Sequence, residues 1–219
     1  MRILNLLIFG VLAACNSNPP AEAKVEPVAT DVLFHLPGDY AQKTTLADFE
    51  SRFGAANVVR KTAAHPGVIL FPDDLPRRAF VTFHKPAELQ EVARITVSDA
   101  NSRWRGKHGV HVGMNFARLR ELNGKPFLLS GFDAKQRARV SEGWSPATAE
   151  DASLGAFDVA EGDHLYFEVE LGVIDSSQVK LPLPADFQLS SDDPRMRDFK
   201  NLLQVISISA SSSLDDEWE

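Results

Sequence analysis

Any chemistry in this chain would have to come from a small set of side chains. Glu168 and Glu170 alternate within Phe167-Glu168-Val169-Glu170-Leu171. Residues two apart on a strand share a face at about 7 Å, a separation at which paired carboxylates can serve as acid and base. The same alternation describes the solvent face of an ordinary strand, with Phe167, Val169 and Leu171 turned inward, and this is the reading adopted. His108 and His111 stand three apart beside glycines. On an extended segment they point to opposite faces, and no carboxylate or thiolate lies at ligand spacing, so no metal and no cofactor is expected. His35, His65, His84 and His164 are isolated in the sequence. The sequence holds no GxSxG, no HExxH and no Gly-rich phosphate loop. The chain is therefore expected not to be an enzyme, although a site gathered from scattered loop residues would leave no such trace.

Binding chemistry has more to work with. Ser102-Arg103-Trp104-Arg105-Gly106-Lys107 interleaves an aromatic ring with cations, and Arg118, Arg120, Lys135, Arg137 and Arg139 extend the series. Between residues 101 and 140 nine lysines and arginines stand against only Glu121 and Asp133, in a chain whose formal net charge is -7. Arg and Trp are favoured interface anchors, and a cationic patch attracts anionic partners. The alternative is a solvated face that balances the chain's own acidic segments, Ser190 to Asp193 and Asp215 to Glu219. The acidic overall balance disfavours nucleic acid as a partner.

The N-terminus supplies an address. Arg2 precedes an apolar run, Ile3 to Leu12, followed by Leu12-Ala13-Ala14-Cys15. The run is too short for a permanent transmembrane helix and reads as a removable signal. Leu12 to Cys15 resembles the cleavage signature of bacterial lipoproteins, which implies cleavage before Cys15 and lipidation of that residue, the only cysteine. Two or more acyl chains suffice for stable anchoring. With no second cysteine there is no intrachain disulfide, so packing must hold the fold. Asn16 at the following position, where an Asp favours inner-membrane retention in such lipoproteins, points to the outer membrane, facing the periplasm. Residues 16 to 31 are rich in Pro, Ala and charge and read as a tether.

Two capped helices organise the remainder. Thr45 and Asp48 form a capping box before Leu46, Phe49 and Phe53, and Gly54 stops the helix. Seventy residues later Asn115 caps a helix carrying Phe116, Leu119 and Leu122, with Gly124 and Pro126 ending it. Strands are predicted over 57–62, 68–71, 79–84 and 91–98 after the first helix, and over 127–132, 138–144, 164–173 and 202–210 after the second. Residues 145–163 and 180–198 read as surface loops, with a helical turn near Pro194 to Phe199. The predicted class is α+β, with two repeated units, each a short helix packed on a four-stranded antiparallel sheet. The expected organisation is a signal at 1–14, lipidated Cys15 and tether at 15–31, a first unit at 32–105, and a second at 106–219 with long loops and an acidic tail.

Gly113-Met114-Asn115, with Leu119, Leu122, Gly124 and Pro126 following, resembles the helix start of the outer-membrane-assembly lipoproteins and of the similarly folded β-lactamase-inhibitory proteins. That resemblance implies tandem helix-plus-four-strand units, and bears on fold more than on function. Leu122-Asn123-Gly124-Lys125-Pro126-Phe127 with Gly131-Phe132 is also similar to a block in uncharacterised bacterial proteins. Those continue with an aromatic, Gly-rich hairpin where this chain has the basic Asp133 to Arg139. The resulting expectation is a non-catalytic, lipid-anchored periplasmic binding or scaffolding module. Its partners would be the membrane, through the anchor, and an envelope protein or an anionic cell-wall or lipid component. The alternatives are a protein inhibitor of a periplasmic or secreted hydrolase and, third, a small envelope enzyme.

Overall fold

The computed structural model describes residues 32–61, 66–142, 165–173 and 188–212, all within one compact unit, Asp31–Glu219. Cys15, the signal, the tether, the 145–163 loop and residues 213–219 of the acidic tail lie outside the described residues. Helix α1 (Leu46–Phe53) begins at the anticipated capping box: Thr45 Oγ1 accepts the Asp48 amide at 3.4 Å, and Asp48 Oδ2 accepts the Thr45 amide at 2.7 Å. Helix α2 (Phe116–Asn123) begins where Asn115 Oδ1 accepts the Arg118 amide at 2.8 Å. It ends at Gly124, whose left-handed φ of 69° lets its N–H reach the Arg120 and Glu121 carbonyls. Among the described residues no helix is long and apolar enough to cross a membrane.

The strands are β1 (His35–Leu36), β2 (Val58–Arg60), β3 (Val68–Leu70), β4 (Ala79–Lys85), β5 (Gln90–Val97), β6 (Arg105–Gly106), β7 (Leu128–Leu129), β8 (Arg137–Glu142), β9 (Tyr166–Val173), β10 (Leu189–Ser190) and β11 (Leu203–Ser211). Nine of them form one antiparallel sheet in the order β10-β7-β8-β9-β11-β5-β4-β3-β2, while β1 and β6 form a small parallel pair. The fold is thus α+β, as predicted, but the strands expected in two four-stranded sheets belong to a single sheet. The join is β11 against β5, with Ile208 opposite Val97 and Ser211 opposite Arg94. Without it each of these long strands would expose a row of unpaired backbone groups. β7 is shorter than expected, and β10 arises inside a stretch read as loop, where Ser191 N donates to Phe127 O at 2.8 Å. The helical turn beyond β10 is a 3-10 helix, Pro194–Asp198.

One apolar core runs along the sheet. β4 contributes Ala79, Val81 and Phe83, with Phe49 of α1 edge-on to Phe83 at 6.4 Å between centroids. β9 and β11 contribute Phe167, Val169, Leu171, Val205, Ile208 and Ala210, and α2 adds Phe116 and Leu119, with Phe116 edge-on to Phe127 at 5.7 Å.

Candidate functional site

The residues that alternate with this core lie on the opposite, core-distal face of the sheet. One row of directly opposed residues crosses six strands there: Val59, Ile69, Phe80, Thr96, Ser209 and Glu168. With strands about 4.8 Å apart, the row is about 24 Å long. Its character changes along its length. At the β2 end Val59 is 44% exposed, Ile69 and Phe80 are half-buried, and the Lys61 ammonium and Arg78 guanidinium each lie 5.6 Å from the Phe80 ring centre. Arg78 is itself fixed by Asp99, which accepts Nε at 2.8 Å and Nη2 at 2.5 Å.

At the β9 end the row is polar and buried. Arg94 reaches diagonally across β11 to form an ion pair with Glu168, and it also donates to Ser209 Oγ at 3.0 Å and Ser211 Oγ at 3.4 Å. Ser209 Oγ in turn donates to Glu168 at 3.2 Å. Glu168 is therefore not the solvent-facing carboxylate expected from the alternation, for it is 7% exposed and its charge is met by the Arg94 guanidinium of β5 and the Ser209 hydroxyl of β11. Such a group is tolerable in the interior only because it is paired and hydrogen-bonded. Glu170, two residues on and on the same face, is half-buried opposite Ser207 and Arg139, with Arg137 Nη1 at 3.5 Å. Burial raises its pKa above the ordinary carboxylate value, while Arg137 pulls the other way. The two carboxylates thus differ in environment, but Glu168 is fully engaged by Arg94 and Ser209, which suits it to holding three strands in register rather than to attacking a substrate.

The cations singled out in the sequence do not form one patch. Trp104 is fully buried, its ring T-shaped against Phe34 at 5.2 Å and its Nε1 donating to Arg77 O at 2.7 Å. It is a core residue and not the exposed anchor expected of it, because the aromatic rings of the first half draw it inward. Arg105 donates to the Ser102 and Trp104 carbonyls at 2.5 and 2.8 Å, and burial holds its pKa below the usual guanidinium value. Arg103 stacks over Phe34 at 5.3 Å, and Lys107 begins the 3-10 turn Lys107–Gly109. On α2, Arg118 pairs with Glu121 at 2.6 Å, and Arg120 donates to Ser191 Oγ at 2.7 Å. In the basic hairpin, Arg137 is held by Asp133 at 2.7 Å, Lys135 is exposed, and Arg139 is half-buried on β8. Only Arg137 and Arg139 of the set flank the core-distal row, beside Glu170.

His108 lies in that 3-10 turn at a left-handed φ of 53°, and His111 Nδ1 is 2.8 Å from Gly109 O. Among the described residues no three His, Cys, Asp or Glu side chains gather as metal ligands would. Arg94 and the alternating serines of β11 were not singled out in the sequence. The available signal was Ser207-Ile208-Ser209-Ala210-Ser211, a strand with hydroxyls along one face, opposite a strand bearing glutamates at the same period. Comparison with protein-family models, with curated proteins and with solved structures gives no match.

Proposed function

We propose that this chain is a non-catalytic binding module of the cell envelope, lipid-anchored through Cys15 at the outer membrane and facing the periplasm, which holds an envelope protein against the core-distal face of its sheet. The observation that carries the reading is the six-strand row, about 24 Å across, which passes from exposed Val59 and half-buried Ile69 and Phe80 to the charged cluster at Glu168 and Glu170. β-branched and aromatic side chains on a face turned from the core, rimmed by charge, are what a docking surface requires. We further read the sheet as two tandem units, α1 with β2–β5 and α2 with β7, β8, β9 and β11. Supporting this, the caps Thr45 and Asn115 and the exits Gly54 and Gly124 recur at an offset of 70, and the last long strand of each half meets the other at β5–β11.

The double substitution Val59→Asp with Thr82→Glu tests the docking surface, because both side chains are exposed on that face and neither belongs to the core. The variant should keep the wild-type melting temperature and lose an envelope protein that co-purifies with the wild type. Retention of that protein at wild-type yield would remove the face from consideration. Trp104→Ala with Arg105→Ala cannot serve here, since it would open the core. The second reading is a protein inhibitor of an envelope hydrolase, docking through the same exposed β2–β4 end of the face. Inhibition of an envelope hydrolase by micromolar protein would support it over simple scaffolding.

A further inference from the structure

A cavity of about 410 Å³ opens between α2 and the segment Ser191–Lys200, within the range of roughly 300–1,000 Å³ typical of small-ligand sites. Its floor is apolar, with Phe116 and Met196 each 2% exposed, and its walls carry Arg120, Arg197 and Lys200. The charges do not cancel. Of the two acidic residues lining it, Asp193 is already bound by Arg195, accepting Nε at 2.9 Å and Nη2 at 2.7 Å, and those hydrogen bonds hold its carboxyl down at about 2. Asp192 accepts the Ser190 hydroxyl. Opposing these, among the residues whose side chains are described Arg120 has only the neutral Ser191 Oγ as a side-chain partner, and none forms an ion pair with Arg197 or Lys200. Three cations therefore share the cavity with a single carboxylate not already paired to an arginine.

Ser191 adds an independent observation. It is 5% exposed, lines the cavity, and its oxygen accepts both Arg120 Nη1 at 2.7 Å and the Phe127 amide at 2.9 Å. With its acceptor positions used, the hydroxyl proton is left to donate, and among the described residues no acceptor is paired with it. A buried donor without an acceptor is costly unless a ligand or solvent supplies one. An anionic oxygen in the cavity would meet this hydroxyl and the guanidinium of Arg120 together.

We propose that this cavity binds a small organic phosphate, with the phosphate held by Arg120, Arg197, Lys200 and the Ser191 hydroxyl and the apolar portion laid against Phe116 and Met196. A phosphate monoester carries close to two charges at neutral pH and presents three acceptor oxygens, which fits three cations and one hydroxyl better than a lone carboxylate does. The site shares no residue with the docking row, so either can fail without the other.

The test uses mature full-length protein in neutral detergent and two probes, glycerol 3-phosphate and a short-chain water-soluble phosphatidic acid, with glycerol as the uncharged control, followed by titration calorimetry. Saturable binding of at least one phosphate probe is expected, weakened at least tenfold by Arg197→Gln with Lys200→Gln and unchanged by Lys125→Gln. Arg197 and Lys200 are exposed, so the double variant should keep its melting temperature. Tighter binding of the phosphatidic acid would identify a lipid phosphate as the natural class, and equal binding a soluble one. Absence of saturable binding at millimolar probe, or affinity indifferent to the double substitution, would overturn the proposal.

Discussion

Two neighbouring residues show how differently adjacent positions contribute. Trp104 contacts Phe34, Tyr40 and Phe53 within about one ring width and donates its indole N–H to Arg77 O. Trp104→Ala should therefore destabilise the fold by about 3–5 kcal/mol, whereas Arg103→Ala, at an exposed side chain whose contacts include the cation–π contact with Phe34, should cost about 1 kcal/mol. Denaturant midpoints of the two variants check the contrast. Glu170 makes a prediction in pH. Its pKa is raised chiefly by burial, against the pull of Arg137, Arg139 and Arg94 and with Asp133 adding repulsion. The folded state thus binds this proton more tightly than the unfolded chain, whose Glu titrates near about 4.3. Stability from this group is greatest below that value and falls as pH rises through the window up to the folded pKa. Glu170→Gln should flatten the loss of stability above about pH 4.3, read as melting temperature against pH; an unchanged profile would contradict this account of Glu170.

The elements are where the sequence was most legible, and also where its legibility ended. Thr45 with Asp48, Asn115 and Gly124 announced both helices, because capping is a local matter of side chains reaching backbone groups three residues away. Strand alternation was equally plain in β9 and β11. Which strands become neighbours depends on residues more than a hundred positions apart, as at Ser211 opposite Arg94, and nothing local encodes that choice. For the same reason Glu168 read as solvent-facing, since Arg94 and Ser209 come from other strands, and Trp104 read as a surface anchor, since only its sequence neighbours are cations. One close approach locks the β1–β6 pair to the main sheet. A Cβ on Gly106 would lie 2.0 Å from the Phe167 ring, so Gly106→Ala must push β6 or Phe167 aside. A loss of about 1–3 kcal/mol is expected from this overpacking, and Gly106→Ala with Phe167→Leu should recover part of it.

At the scale of the whole molecule, the chain pairs a sealed apolar side with a graded, partly open one. The core holds the fold without disulfides, and the polar cluster of Arg94, Glu168 and the β11 serines pins three central strands on the other side. Among the described residues this division leaves the β2–β4 end of the core-distal face exposed at Val59 and Thr82, the positions where the proposed partner would dock. Site-directed photo-crosslinking of the full-length protein in its native envelope tests that assignment most directly. Crosslinkers at Val59 and Thr82 should each yield the same discrete protein adduct, while crosslinkers at Ala47 and Ser51, exposed on α1, should not. Adducts at the α1 positions with none at Val59 or Thr82 would contradict the account.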